Sequence, residues 1–102
     1  ALPISSGLHL LPLEGKRVLR IDNNINPDLE YEKTLKTDYV ILSKNTEIEI
    51  SQVLRYFNPS LLIFDSSNST KMRRKWKKQC LKIGVKFYDV AEQGAFVAVL
   101  SN

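Results

Sequence analysis

At 102 residues and 43% apolar content, the chain has the size of one small globular domain, with enough core to fold and little to spare. It contains no run of eighteen apolar residues and no charged-then-apolar leader, so no stretch reads as a membrane span or a signal peptide. One cysteine, Cys80, and one histidine, His9, exclude an internal disulfide, a multi-cysteine zinc site and a histidine-based triad assembled within this sequence. The net charge of +4 is unevenly placed: Lys71 to Lys86 holds eight basic residues and no acid, and the remainder sums to −4.

In chain order, "LHLLPL" (8–13) and "KRVLRI" (16–21) are apolar-rich runs separated by Glu14-Gly15, a spacing that predicts a hairpin. Pro12 keeps the first run at an edge, because proline cannot donate to a central ladder. Residues 22–37, "DNNINPDLEYEKTLKT", are polar and weakly periodic and predict a loop with at most one helical turn. "DYVILS" (38–43) is a strand. Thr46 and Glu49 have capping-box spacing ahead of Ile50, Val53, Leu54 and Phe57 at helical intervals, and this helix should end before Asn58-Pro59. "LLIFD" (61–65) is another strand, and "SSNS" (66–69) offers caps to a second helix that stops at Gly84. "VKFYDV" (85–90) and "GAFVAVL" (94–100) predict two closing strands joined through Ala91-Glu92-Gln93.

Strands alternating with helices imply right-handed crossovers and a parallel core, with hairpins adding antiparallel strands. The fold class is therefore α/β: a single domain over 1–102 with a mixed, largely parallel sheet, two main helices and flanking hairpins. "YVIL" and "LLIF" are apolar at every position, as in strands covered on both faces. Two helices on one face leave the other face open, to be covered by more of a parent chain or by a second copy in a homodimer.

The second helix carries the charge. Six of the eight residues from Lys71 to Lys78 are basic. At 100° per residue Met72, Trp76, Cys80 and Ile83 share one face, and Lys71, Arg74, Lys75, Lys78 and Lys82 lie opposite. Trp76 is thus on the packing side and reads first as a core anchor, with a base-stacking role as the alternative. The basic face reads either as a solvated stripe or as a contact for DNA phosphates through Lys71, Arg73, Arg74, Lys75, Lys77, Lys78 and Lys82. A solvated stripe ordinarily mixes signs, and like charges four residues apart cost a few tenths of a kcal/mol each.

No P-loop, Gly-rich dinucleotide motif or nucleophile elbow is present. Polar residues do follow the core strands: Ser43, Lys44 and Asn45 after the third run, Asp65, Ser66, Ser67 and Asn68 after the fourth, and Asp89 in the next. A parallel sheet delivers such groups to one carboxyl edge, where α/β proteins place their sites. Ordinary turn and cap chemistry is the simpler account of the same residues.

From Asp38 onward, "FDSSNS", the Trp76 helix and "EQGAF" make the chain resemble the C-terminal region of ComEC-type competence proteins, inner-membrane channels for DNA uptake. The resemblance implies a C-terminal piece of a larger membrane protein, placed as a soluble domain on one side of the inner membrane. It also implies similarity to half of a metallo-β-lactamase-like sandwich, in which "YVILSKN" stands where a strand and histidine turn would be, "FDSSNS" where a later metal-binding loop would be, and "DVAEQGAF" as the closing hairpin. Ser43, Lys44 and Asn45 replace the histidine turn, and Asp22 is a lone carboxylate near an acidic ligand position. The site is therefore expected to be degenerate, with no metal, no cofactor and no catalytic residue. The function implied is a non-catalytic accessory domain of a DNA-uptake channel, contacting DNA without regard to sequence and bound to the rest of the channel protein. The rival readings are a residual metal-dependent nuclease half completed elsewhere in the parent, and a structural module for protein or lipid contact.

Overall fold

The computed structural model describes residues 8–13, 15–22 and 35–94. Among these residues five strands form one sheet in chain order: β1 (Leu8–Leu13), β2 (Lys16–Ile21), β3 (Leu35–Leu42), β4 (Phe57–Phe64) and β5 (Phe87–Asp89). β1 and β2 are antiparallel, with Leu13 opposite Lys16 as the predicted hairpin requires. Gly15 takes a left-handed φ of 64° there, a conformation that other residues enter only with strain. β2 through β5 run parallel. Helices α1 (Ile50–Tyr56) and α2 (Thr70–Ile83) connect β3 to β4 and β4 to β5, and a single turn, α3 (Val90–Gln93), follows β5.

The strands are apolar on both faces because side chains alternate. Leu19, Val40, Leu62 and Phe87 form one row, and Ile21, Leu42, Phe64 and Asp89 the next. The apolar members pack with Ile50, Val53 and Tyr56 of α1 and with Trp76 and Cys80 of α2 in the main core. Trp76 is fully buried, lies 5.2 Å from the Phe64 ring and donates its indole N–H to the Ile48 carbonyl at 3.0 Å. It is the packing residue that the helical phase predicted. Burial also pushes the Cys80 thiol up to about 12, so it sits in the core as a small neutral group.

The opposite face was expected to be open. Its centre is closed within the chain: Val18, Tyr39 and Ile63 are buried, with Ile41, Leu61, Tyr88 and Val90 half-buried around them.

Several boundaries differ from the sequence expectation. α1 starts at Ile50 and not near Thr46, with Glu49 as its N-cap and Gln52 completing the capping box. Thr46 is instead buried in the preceding loop. α1 ends at Tyr56, as the Asn58-Pro59 pair requires, but it passes straight into β4 with no loop. Pro59 fits that strand because, among the described residues, β5 pairs only with Leu62–Phe64 and β4 has one neighbour at Pro59. β3 begins at Leu35, inside the segment expected to be loop. Ala91, Glu92 and Gln93 form a helical turn capped by Asp89, not a hairpin turn. The "GAFVAVL" strand lies outside the described residues apart from Gly94.

Candidate nucleic-acid interface and the carboxyl edge

α2 begins because Ser69, in an extended conformation, accepts a hydrogen bond from the Met72 N–H at 3.2 Å. It ends because Gly84 turns left-handed at φ 91° and returns its N–H to the Cys80 carbonyl. Its basic residues then divide into two lanes by phase.

The inner lane is Arg73 and Lys77, one turn apart and turned toward the sheet. Alternation places Asp89 in the core-facing row beside Phe64, where it is fully buried and its charge requires partners. Arg73 supplies a forked contact, Nη1 lying 3.2 and 2.9 Å from the two carboxylate oxygens. Its remaining donors bond the Asn68 carbonyl at 3.3 Å and the Thr70 hydroxyl at 3.1 Å. Lys77 reaches Asp89 at 2.7 Å and Glu92 at 2.5 Å. Burial works against ionisation of Asp89, but the bonds from Lys77 and Arg73 outweigh it and hold the carboxyl below its ordinary range. Burial likewise opposes the charge on Lys77, and the bonds from Asp89 and Glu92 overcome it and raise its pKa. Asp89 also accepts the Ala91 N–H at 3.1 Å, so one carboxylate fastens α2, β5 and α3 together. Arg73 and Lys77 were read as contacts for nucleic acid, but their charge is consumed inside the protein.

The outer lane is Lys71, Arg74, Lys75, Lys78 and Lys82, all exposed. Lys75 pairs with Glu49 at 2.9 Å and lowers the pKa of that carboxyl. Lys71, Arg74, Lys78 and Lys82 take part in no ion pair with the described residues. Thr70, Lys71, Arg74, Lys75, Lys78 and Gln79 line an open depression of about 570 Å³ along this lane. Thr70 and Gln79 are absent from the sequence reading and no charge pattern marks them; within the protein the Thr70 hydroxyl accepts from Arg73, and the Gln79 amide donates to Glu49 and accepts the Ile50 N–H at 2.9 Å.

The carboxyl edge of the sheet brings together most of the residues that topology assigned to it. Asp22, Ser43 and Asp65 follow the paired positions Ile21, Leu42 and Phe64, and the ladder continues through Ser43 N–H to the Ile21 carbonyl at 2.9 Å. The Ser43 hydroxyl donates to Asp65. Ser67 donates its hydroxyl to Asp65 at 2.5 Å and its N–H at 3.1 Å. The Asn68 amide bonds the Leu42 carbonyl at 2.7 Å, while its oxygen accepts the Asn45 N–H at 2.8 Å. The Ser67 oxygen accepts the Lys44 N–H at 2.7 Å, and Asn45 accepts the Ser69 N–H at 2.6 Å. These bonds lock the two loops and hold Lys44 and Asn45 in left-handed conformations at φ 55° and 54°. Asp22 is 3.9 Å from the Lys44 ammonium and 3.7 Å from Arg20. Ser66 is exposed, and Asp89 does not join the group, being one rung back and turned to α2. Among the described residues no three His, Cys, Asp or Glu side chains gather as a metal site.

A mixed, largely parallel sheet helix-covered on its main core face, with a locked polar edge and one acid-free helix lane, defines an α/β domain. Residues 4–100 match the family model of the ComEC C-terminal domain, and the chain belongs to that family. Comparison with curated proteins and with solved structures gave no match, so nothing found there supports the metallo-β-lactamase likeness. No helix among the described residues is long and apolar enough to cross a membrane.

Proposed function

We propose that this chain is a non-catalytic accessory domain of an inner-membrane DNA-uptake channel, holding DNA by its phosphates along the outer lane of α2. Family membership supports involvement in DNA uptake. The observation that carries the phosphate reading is the sorting of one basic helix into two lanes, leaving Lys71, Arg74, Lys78 and Lys82 exposed and without described carboxylate partners. Trp76 is buried, so the helix has no stacking ring, and contacts confined to phosphate read no sequence.

The non-catalytic reading rests on how the carboxylates are used. Asp65 is occupied by Ser43, Ser67 and Asn68, and Asp89 by Arg73 and Lys77, while Lys44 stands beside Asp22. A dication would have to displace hydroxyl donors or face ammonium and guanidinium groups.

Binding of fluorescent DNA duplexes and single strands of varied sequence, measured across a salt series, tests the proposal. Neutralising about four phosphates gives a log-log slope near −3.6 on duplex, roughly a hundredfold loss between 50 and 200 mM salt. Replacing Lys71, Arg74 and Lys78 with glutamine should reduce that slope by about 2.7. An unchanged slope in the triple variant refutes the phosphate lane.

A further inference from the structure

The end of α2 differs from the rest of the helix. Leu81, Lys82, Ile83 and Gly84 are four consecutive exposed residues, between the buried Cys80 and the half-buried Val85. A helix lying flat on a sheet exposes about half of each turn. Four exposed residues in succession mean that the last turn and its cap stand clear of the body. Leu81 is 73% exposed and Ile83 48%, and these are the large apolar side chains that the described surface leaves exposed. Ile83 was expected on the packing face with Met72, Trp76 and Cys80; its phase is right, but the helix has run past the sheet by that point.

A single exposed leucine needs no explanation. Here both apolar side chains project from one protruding turn, with Lys78, Lys82 and Lys86 around them, all exposed and in a stretch without acids. DNA phosphate has no use for Leu81 and Ile83. A surface that is anionic outside and apolar a few Å below uses both the lysines and the apolar pair.

We propose that the tip of α2, Leu81 to Gly84 with Lys78 and Lys86, docks on an anionic lipid bilayer, inserting Leu81 and Ile83 below the headgroups while Lys82 and Lys86 pair with lipid phosphates. The tip shares Lys78 and Lys82 with the outer lane, but Leu81 and Ile83 lie outside the depression of Thr70 to Gln79, and the proposal does not depend on DNA binding. The bilayer is chosen over a second copy of the chain or a protein partner on charge complementarity, because a like-charged tip repels its own copy.

Cosedimentation of the 102-residue chain with vesicles tests the inference. Phosphatidylglycerol-containing vesicles should bind it and pure phosphatidylcholine vesicles should not. The double variant Leu81→Ser/Ile83→Ser should lose at least ~tenfold in partitioning while its DNA salt slope is unchanged. Lys71→Gln/Arg74→Gln should show the reverse pattern. In a second measurement, an environment-sensitive dye on Leu81→Cys, selective because Cys80 is buried, should shift to the blue on anionic vesicles only. Anionic vesicle binding that survives the serine variant, with no dye shift, would reduce the effect to phosphate attraction along the helix and overturn the inference. Absence of vesicle binding would overturn it too, as would self-association of the chain abolished by the serine variant, which would assign the tip to a second copy.

Discussion

The inner and outer lanes of α2 are built from the same residue types within about three helical turns, yet they do opposite things. Arg73 and Lys77 hold the end of the sheet together, whereas Lys71, Arg74, Lys78 and Lys82 leave their charge to solvent. What separates them is about 100° of helical phase and one aspartate in the core-facing row of β5. Net charge therefore overstates what α2 can offer a polyanion.

Breaking the packing beneath both lanes should have the largest effect. Trp76→Ala removes a fully buried ring and leaves the Ile48 carbonyl without its donor. The expected loss is toward the upper end of about 3–5 kcal/mol, read as a lowered midpoint in urea unfolding.

Next comes the inner lane itself. Asp89→Asn leaves the buried Arg73 without its carboxylate and the half-buried Lys77 with Glu92 alone, and we expect a loss of about 3 kcal/mol by the same assay, the lower end for unpairing buried ions. Acid should reproduce part of this. The folded pKa of Asp89 lies below its ordinary value of 3.8, so its contribution is complete above that pH and disappears as pH falls through the folded value. The stability gap between the parent and Asp89→Asn should be flat from about pH 5 to 8 and shrink below about 3.8. A gap unchanged at pH 3 would break the link between Asp89 ionisation and the latch.

Removing the N-terminal cap acts on both lanes weakly. Ser69→Ala should cost about 1 kcal/mol, seen as a modest fall in Tm without loss of cooperativity. The outer lane should show the smallest effect of all: Lys71→Gln, Arg74→Gln and Lys78→Gln should each stay within about 0.5 kcal/mol of the parent. A large destabilisation there would merge the two lanes and remove the basis for assigning one of them to a ligand.

Local chemistry made much of this legible beforehand. The doubly apolar "YVIL" and "LLIF" marked the central parallel strands, and Ser69 and Gly84 bounded α2 through cap chemistry that needs only near neighbours. Phase put Trp76 inside, and strand polarity put Ser43 and Asp65 at one edge. The fate of Arg73 and Lys77 was not legible, because it depends on Asp89, sixteen residues from Arg73 and brought close only by the crossover. Thr46 misled because its capping-box spacing with Glu49 is satisfied equally well by Glu49 with Gln52, one turn later. Ala91 to Gln93 looked like a turn because the Asp89 cap and the Gln93 return bond that make them helical are each only one residue deep.

The three-residue length of β5 has a consequence for the order in which the protein can be made. A ribosome releases α2 before β5, so the nascent helix emerges with two cations on the side it must bury and nothing yet to neutralise them. Docking of α2 must therefore wait for Asp89, which arrives on the shortest strand of the sheet. A small segment made after α2 thus governs when the longest described helix can settle. A chain cut just before Asp89 would keep every residue of α2 and still lack the counter-charge that lets it pack.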